Sequence, residues 1–259
     1  MTMIHPTAII APGAQVDPTV SIGPYAVIGE HVRIGAGTSV GPHAVIEGRT
    51  EIGRENRIFQ FTSIGAIPQD LKYHGEESTL KIGDRNKIRE FVTIHLGTED
   101  GGGVTTVGSD NLFMAYAHVA HDCIVKNHVV MANCATLAGH VEIDDFAILG
   151  GLSAVHQFTR IGCHVMASGG SMIAQDVAPY SLVQGDRAKT VGLNLPGLKR
   201  RGFSSQALAN IKQMYKLVFR SNLKLEEAVA KIAEELDTTA EEVATYLNFL
   251  KRSERGLAR

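Results

Sequence analysis

An aliphatic residue returns at every sixth position from Ile4 onward: Ile10, Val16, Ile22, Ile28, Ile34, Val40, Ile46, Ile52, Ile58 and Ile64, all of them β-branched. Two residues before most of these rungs stands something small or β-branched, such as Ala8, Ala26, Thr38, Ala44 or Thr62. Glycine often follows the rung, as at Gly23, Gly29, Gly35, Gly41 and Gly53. An amphipathic helix repeats near 3.6 residues and an ordinary strand near 2, so neither accounts for a step of six. A short strand followed by a tight turn does. Three such units close a triangular coil of eighteen residues, and stacked coils bury the rungs in one continuous column.

The ladder fails at Asp70 and Glu76 and resumes in phase at Ile82, Ile88 and Ile94, so the segment near 66–79 is predicted to leave the coil as a loop. A second break near 97–105 contains Gly101-Gly102-Gly103 and shifts the phase by one residue. The rungs then run Val107, Phe113, Val119, Val125, Met131, Leu137, Ile143, Leu149, Val155 and Ile161, weakening at Ala167 and Ile173. Long loops inside a compact repeat are commonly functional. After Pro196 the period changes, with Leu208, Ile211, Tyr215 and Val218 on one helical face, then Leu225, Val229, Ile232 and Leu236, then Val243, Tyr246, Leu247 and Leu250. A capping box from Thr238 to Glu241 is expected to open the third of these helices. The chain therefore reads as mainly β, with a parallel β-helix over residues 1–195 and a C-terminal α-helical domain over 196–259. The structural task of the helices is to cover the open strand edges of the last coil.

Residues eighteen apart should stack. His121, Gly139 and Gln157 form one such column, each two residues past its rung, flanked by His140 and His156. A second column runs Ala115, Asn133, Gly151, Gly169 and is nearly bare of side chains at its later end, which suits a groove for something elongated. Histidine titrates closest to neutrality and is a natural general base. In His118-Val119-Ala120-His121-Asp122, Asp122 is placed to hold the His121 tautomer, provided the chain turns between them. Zinc is the competing use of these histidines; Gln157 and Asn133 are poor ligands and the cysteines are not grouped, so no metal is assigned.

Composition narrows the picture further. The formal net charge of −2 gives no bulk attraction for nucleic acid. Cys123, Cys134 and Cys163 show no metal spacing and no even pairing, as expected of reduced thiols in a cytoplasmic protein. No stretch approaches the length of a membrane span, and Met1-Thr2-Met3-Ile4-His5-Pro6 does not read as a signal peptide.

Several motifs together resemble one family, over essentially the whole chain: Gln69-Asp70-Leu71-Lys72-Tyr73, Ile88-Arg89-Glu90, Ala117-His118-Val119-Ala120-His121-Asp122-Cys123, Ala138-Gly139-His140-Val141, Asp144-Asp145-Phe146-Ala147-Ile148, Ala154-Val155-His156-Gln157-Phe158 and Gly197-Leu198-Lys199-Arg200-Arg201-Gly202-Phe203-Ser204. They resemble the acyl-[acyl-carrier-protein]–UDP-N-acetylglucosamine O-acyltransferases, hexapeptide-repeat enzymes that open lipid A synthesis in Gram-negative bacteria. The resemblance implies a left-handed parallel β-helix, a homotrimer with sites between neighbouring prisms, no cofactor, and acyl carrier protein and UDP-N-acetylglucosamine as partners. It further implies that His121 is the general base and that the Gly139 N–H stabilises the oxyanion. Gln69, Asp70, Lys72 and His95 would contact substrate, His118, His140 and Gln157 would line the site, and Asn194, Arg200 and Arg201 would engage nucleotide or carrier phosphates. Gly169, stacked over Gly151, occupies the family position that limits acyl length and implies a long chain.

Simpler readings stand beside these. Asp70 and Lys72 also fit a solvated loop pair, and Lys199-Arg200-Arg201 also fits plain surface charge or a dock for the acidic carrier, extended by Lys212, Lys216 and Arg220. The sequence departs from the family at Pro196, where a nucleotide-binding glutamate is usual, at Asp186-Arg187, at Leu96 after His95, and at Glu77-Ser78. The alternatives are a 3-amino-sugar acyltransferase, the pathway's N-acyltransferase (which carries an extra N-terminal domain, whereas this ladder starts at Ile4) and a zinc hydratase.

Overall fold

The computed structural model describes residues 3–259; Met1 and Thr2, which open the segment read for a signal peptide, lie outside them. The rungs fall on strands mostly two residues long, wound into a triangular prism with faces of eleven, nine and eight strands, parallel throughout except for the last strand of the first face, Lys189–Leu193, which runs antiparallel to Ser181–Gln184. Face one begins with Met3–Ile4, face two with Ile9–Ile10 and face three with Gln15–Val16. Uninterrupted coils pair residues eighteen apart, as in Ile4 with Ile22 and Val119 with Leu137. Ile28, Ile46, Ile64, Ile94, Leu137 and Ile143 are fully buried along the axis.

Each strand residue before the rung, and the residue after it, donates its N–H to the next coil, as Val45 does to Thr62 O and Glu47 to Ile64 O. The residue two past the rung has no backbone acceptor; between faces three and one a side-chain oxygen of the next coil takes the N–H of Arg54, Asp84, Ser109 and Asn127. Pro6, Pro12, Pro18, Pro24 and Pro42 all stand at that position, where a missing N–H costs nothing. At most corners from Tyr25 onward the residue three past the rung takes positive φ, 56° at Tyr25 and 63° at Phe158. That conformation costs a non-glycine residue about 1–2 kcal/mol. Ring stacking along the corners offsets part of it, at about 0.5–1.5 kcal/mol per pair. Tyr25, His43, Phe61, Phe91 and Tyr116 stack in sequence at the corner between faces one and two, with centroids 4.7–5.3 Å apart. His128, Phe146, His164 and Tyr180 do the same at the corner between faces three and one.

Two loops leave the prism at one corner, between faces two and three. Ile52 pairs with Ile82, thirty residues on instead of eighteen, so residues 67–78 form an insertion of twelve. Ile94 pairs with Val119, twenty-five residues on, and the second insertion carries a 3₁₀ turn at Glu99–Gly101.

The prism ends in a way the helical pattern did not reveal. Its last edges are closed by backbone: Ile161 pairs with Val177, Met172 with Asp186, and Asp176 with Leu257 of the C-terminal tail. A helix has its own N–H and C=O groups paired internally and cannot hydrogen-bond to an open strand edge, so extended chain does that work. Outside it pack α1 (Leu195–Arg200), α2 (Ser205–Phe219), α3 (Leu225–Glu235) and α4 (Glu241–Arg252), whose core of Ile211, Met214, Val218, Ile232, Val243 and Tyr246 meets Ala178 and Tyr180 of the prism. The Thr238-to-Glu241 capping box is absent. Ala240 is the N-cap of α4 and gives no side-chain bond, because the Asp237 carboxylate takes the N–H and hydroxyl of Thr239 in a turn of its own.

Ile94 is fully buried in the axial column. Ile94→Ala is expected to lower the unfolding free energy by about 2–5 kcal/mol in urea titration.

Candidate active site

His121 and Asp122 sit where the chain leaves face two for face three. Asp122 is three past its rung and takes φ 59°, a conformation aspartate tolerates better than most residues. This turn folds the side chains of two sequence neighbours together, with His121 Nδ1 donating to Asp122 Oδ2 at 2.7 Å. The carboxylate is buried and accepts twice more, from the Thr98 N–H at 2.8 Å and the Thr98 hydroxyl at 2.6 Å. The Asp122 N–H in turn donates to Thr105 Oγ1 at 2.8 Å. With its Nδ1 proton committed, His121 presents Nε2 as a bare acceptor.

Gly139 lies one coil above. The His121 ring rests on it so closely that a Cβ there would fall 2.5 Å from the imidazole Cε1 and 2.7 Å from Nε2. Gly139 is two past its rung, so its N–H is one of those the coil leaves over; among the described residues no protein group accepts from it. A proton acceptor and a free backbone donor thus stand side by side.

Other histidines enclose the pair. His140 stacks above Asp122, its ring edge-on to His121 with centroids 5.1 Å apart. His118 bonds Thr93 Oγ1 through Nδ1 at 2.6 Å, and His95 lies edge-on to it, buried, with an unpartnered Nδ1. Burial pushes His95 down to about 4, helped by the positive charge His118 and His121 would carry. Burial lowers His118 as well, with His121 adding to it. His140 is lowered by burial against the pull of Asp122, and of Asp70 and Asp100 on the two loops. The shell is therefore neutral around neutral pH. The first loop arches over this corner, with Gln69 and Lys72 exposed and Asp70 part-buried, its carboxylate accepting from the Lys72 N–H at 3.0 Å. Gln157, one coil above Gly139, is exposed.

The remaining sequence candidates fall elsewhere. Gly151 and Gly169 are at the corner between faces one and two, and a Cβ at Gly169 would meet only the backbone of Gly151, at 3.2 Å. Arg200 and Arg201 stand at the third corner beside a cleft of about 830 Å³, with Arg201 over the Phe146 ring at 4.2 Å. Asn194 caps α1: its side chain accepts from the Gly197 N–H and donates to His164 O, leaving little of the amide for a ligand. Pro196 occupies the first turn of that helix, where proline fits. Leu96 is buried, Glu77 pairs with Arg49, and Asp186-Arg187 forms the turn between Ser181–Gln184 and Lys189–Leu193. Thr98 and Thr93 escaped the sequence reading, because the insertion breaks the eighteen-residue stacking that would have aligned Thr98 with the dyad.

His121, Asp122 and His140 offer ligand atoms within 4.8 Å of one another, the one such group among the described residues. The Asp122 oxygens are already engaged by His121 and Thr98. The donor set is accounted for as a hydrogen-bonded dyad.

A base held by a carboxylate, next to a backbone donor with nothing to bind, serves acyl transfer, and on this fold it marks a hexapeptide-repeat acyltransferase. Comparison with known proteins narrows the class. Residues 176–258 match the family model described as UDP-N-acetylglucosamine O-acyltransferase, domain 2. The chain is 52% identical, over the full length of both, to the acyl-[acyl-carrier-protein]–UDP-N-acetylglucosamine O-acyltransferase of Herminiimonas arsenicoxydans, and it belongs to that family. Among solved structures it resembles LpxA from Acinetobacter baumannii (TM-score 0.97, 44% identity, 99% of this chain and all of that one). The Moraxella catarrhalis LpxA (0.96, 43%, 99% and 100%) and the Arabidopsis UDP-N-acetylglucosamine acyltransferase (0.84, 33%, 99% and 100%) are similar throughout. The fold is the left-handed parallel β-helix of that family. No helix among the described residues is long and apolar enough to cross a membrane.

The neutral His95 carries a pH dependence of known sign. Folded, it protonates only near 4; unfolded, near its ordinary 6.5. Between these values the unfolded state binds more protons, so this stability is full above the unfolded value and is lost as the pH falls toward the folded one. The slope reaches at most about 1.4 kcal/mol per pH unit for one histidine. Urea unfolding at about pH 7 and about pH 5 is expected to show a smaller acid loss for His95→Gln than for the unaltered protein.

Proposed function

We propose that this protein transfers a 3-hydroxyacyl chain from acyl carrier protein to the 3-hydroxyl of UDP-N-acetylglucosamine, the first step of lipid A synthesis. The observation that carries the reading is the bare Nε2 of His121 beside the unused Gly139 N–H. His121 Nε2 takes the proton of the sugar hydroxyl as its oxygen attacks the thioester carbonyl. The Gly139 N–H receives the oxyanion, an interaction worth about 2.7–4 kcal/mol in comparable sites. The intermediate collapses with rupture of the C–S bond, and the imidazolium returns its proton to the departing thiolate. Asp122 holds the tautomer and stabilises the imidazolium. Gln69, Asp70, Lys72, His95, His118, His140 and Gln157 bind the sugar and line the pocket; Arg200 and Arg201 face phosphates, and Asn194 caps the short helix that leads to them.

Incubation with UDP-N-acetylglucosamine and a series of 3-hydroxyacyl carrier proteins, read by mass, is expected to give the O-acylated sugar, with long donors preferred over short ones because Gly169 leaves the groove open. His121→Ala is expected to lower kcat by about 10²–10⁴. Retained turnover in that variant sinks the mechanism, and acylation only of a 3-amino analogue sinks the choice of acceptor.

The protein acts as a cytoplasmic homotrimer. Gly151 and Gly169 stand a whole prism face away from His121, so a groove along them meets the base only when a second copy lays its one/two corner against the two/three corner of the first. Tyr25, Phe61, Phe91, Tyr116 and Leu152 expose a continuous apolar ridge on that one/two corner. Sedimentation is expected to give a trimer, and Phe61→Glu with Phe91→Glu to give monomers with no activity; a monomeric, active parent protein excludes the arrangement.

A further inference from the structure

We propose that Thr98, on the second inserted loop, is a positioning residue that sets the basicity of His121 by way of Asp122. The inference rests on the dyad described above. Thr98 is 3% exposed and spends both of its donors on one carboxylate, the N–H on Oδ1 at 2.8 Å and the hydroxyl on Oδ2 at 2.6 Å. Oδ2 is the same oxygen that accepts from His121 Nδ1. The Thr98 hydroxyl and the imidazole therefore compete for one lone-pair-bearing atom, and each bond weakens the other's hold on its charge.

The loop is shaped for this contact. Its 3₁₀ turn returns the Gly101 and Gly103 N–H groups to Thr98 O, at 3.1 and 2.7 Å, which pins the threonine backbone. Gly101 passes so close to the Asp122 carboxylate that any Cβ there would collide with it. Asp122 is also fixed from the prism side by its own N–H on Thr105. Every hydrogen bond to this carboxylate thus comes from His121 or from Thr98, with His140 Nε2 farther off, 3.8 Å from Oδ2. The sequence-adjacent dyad is completed by a loop 24 residues away from Asp122.

Removing the hydroxyl alone leaves Oδ2 to His121. The negative charge on Asp122 is then less shared, and the imidazolium is favoured. The other groups facing the dyad, His140, His118 and His95 with the loop carboxylates Asp70 and Asp100, stay in place. Thr98→Val keeps the shape and deletes the donor; Thr98→Ser keeps the donor. Two readouts separate this inference from the proposed reaction. The first, an NMR titration of the His121 ring, needs no substrate: its midpoint is expected to rise in Thr98→Val and to stay at the parent value in Thr98→Ser. The second is the acyltransfer assay, in which Thr98→Val is expected to lower kcat about ten- to a hundred-fold with KM little changed, and to move the acid limb of the pH profile upward. In an Asp122→Asn background the same substitution is expected to leave kcat where Asp122→Asn alone puts it. An unmoved titration midpoint in folded Thr98→Val overturns the inference whatever the substrate proves to be, as does an undiminished effect in the Asp122→Asn background. Should Thr98→Val fail to fold, Thr98→Ala is titrated instead against the same criterion. A moved midpoint without acyl transfer preserves the inference and removes the proposed reaction.

Discussion

Everything in this molecule depends on one backbone constraint: each strand donates its N–H groups to the chain eighteen residues further on. The parallel ladder fixes the rise from coil to coil at the strand spacing of about 4.8 Å. It also fixes which residue lies above which. A side chain chosen in one coil is in contact with the same position of the next, and an aliphatic column or a ring stack follows wherever the choice repeats. Deviation is costly, since the fully buried rungs have no solvent-facing alternative.

The same constraint leaves particular groups over. At two past the rung the N–H has no backbone acceptor, which proline exploits near the N-terminus and Gly139 exposes beside His121. At three past the rung the backbone is forced into a left-handed corner, which turns Asp122 back onto its neighbour. The fold therefore leaves a backbone N–H and a left-handed turn at corner after corner, and at the corner of His121 and Gly139 the turn residue is an aspartate and the N–H has no acceptor. Two insertions at that corner change a repeated surface into a site. The first arches over it with Asp70 and Lys72, and the second reaches under it with Thr98. Histidines stacked and buried around the dyad stay neutral, so a proton arriving on His121 meets no competing cation at neutral pH.

Much of this was legible without coordinates. The six-residue step identified the coil, its two interruptions located the loops, and eighteen-residue arithmetic aligned His121, Gly139 and Gln157. The arithmetic failed where the ladder is interrupted, so Thr98 went unseen. It also gave no sign that Asn194 would spend its amide on a helix cap, or that extended chain, rather than helix, would close the last coil. Thr238 and Glu241 had the spacing of a capping box, but Asp237 and Thr239 close a turn of their own and the helix starts after Ala240.

The sequence by itself determined the coil, its register and its stacked columns, because those follow from short-range spacing that one strand imposes on the next. The tertiary structure alone decided what the columns do. The corner turn holds the His121 ring on Asp122, a distant loop returns Thr98 to the same carboxylate, and the Gly139 N–H stands free beside them because the coil has no use for it. Gly151 and Gly169 lie on another corner altogether, and within one chain a prism face keeps them apart from His121.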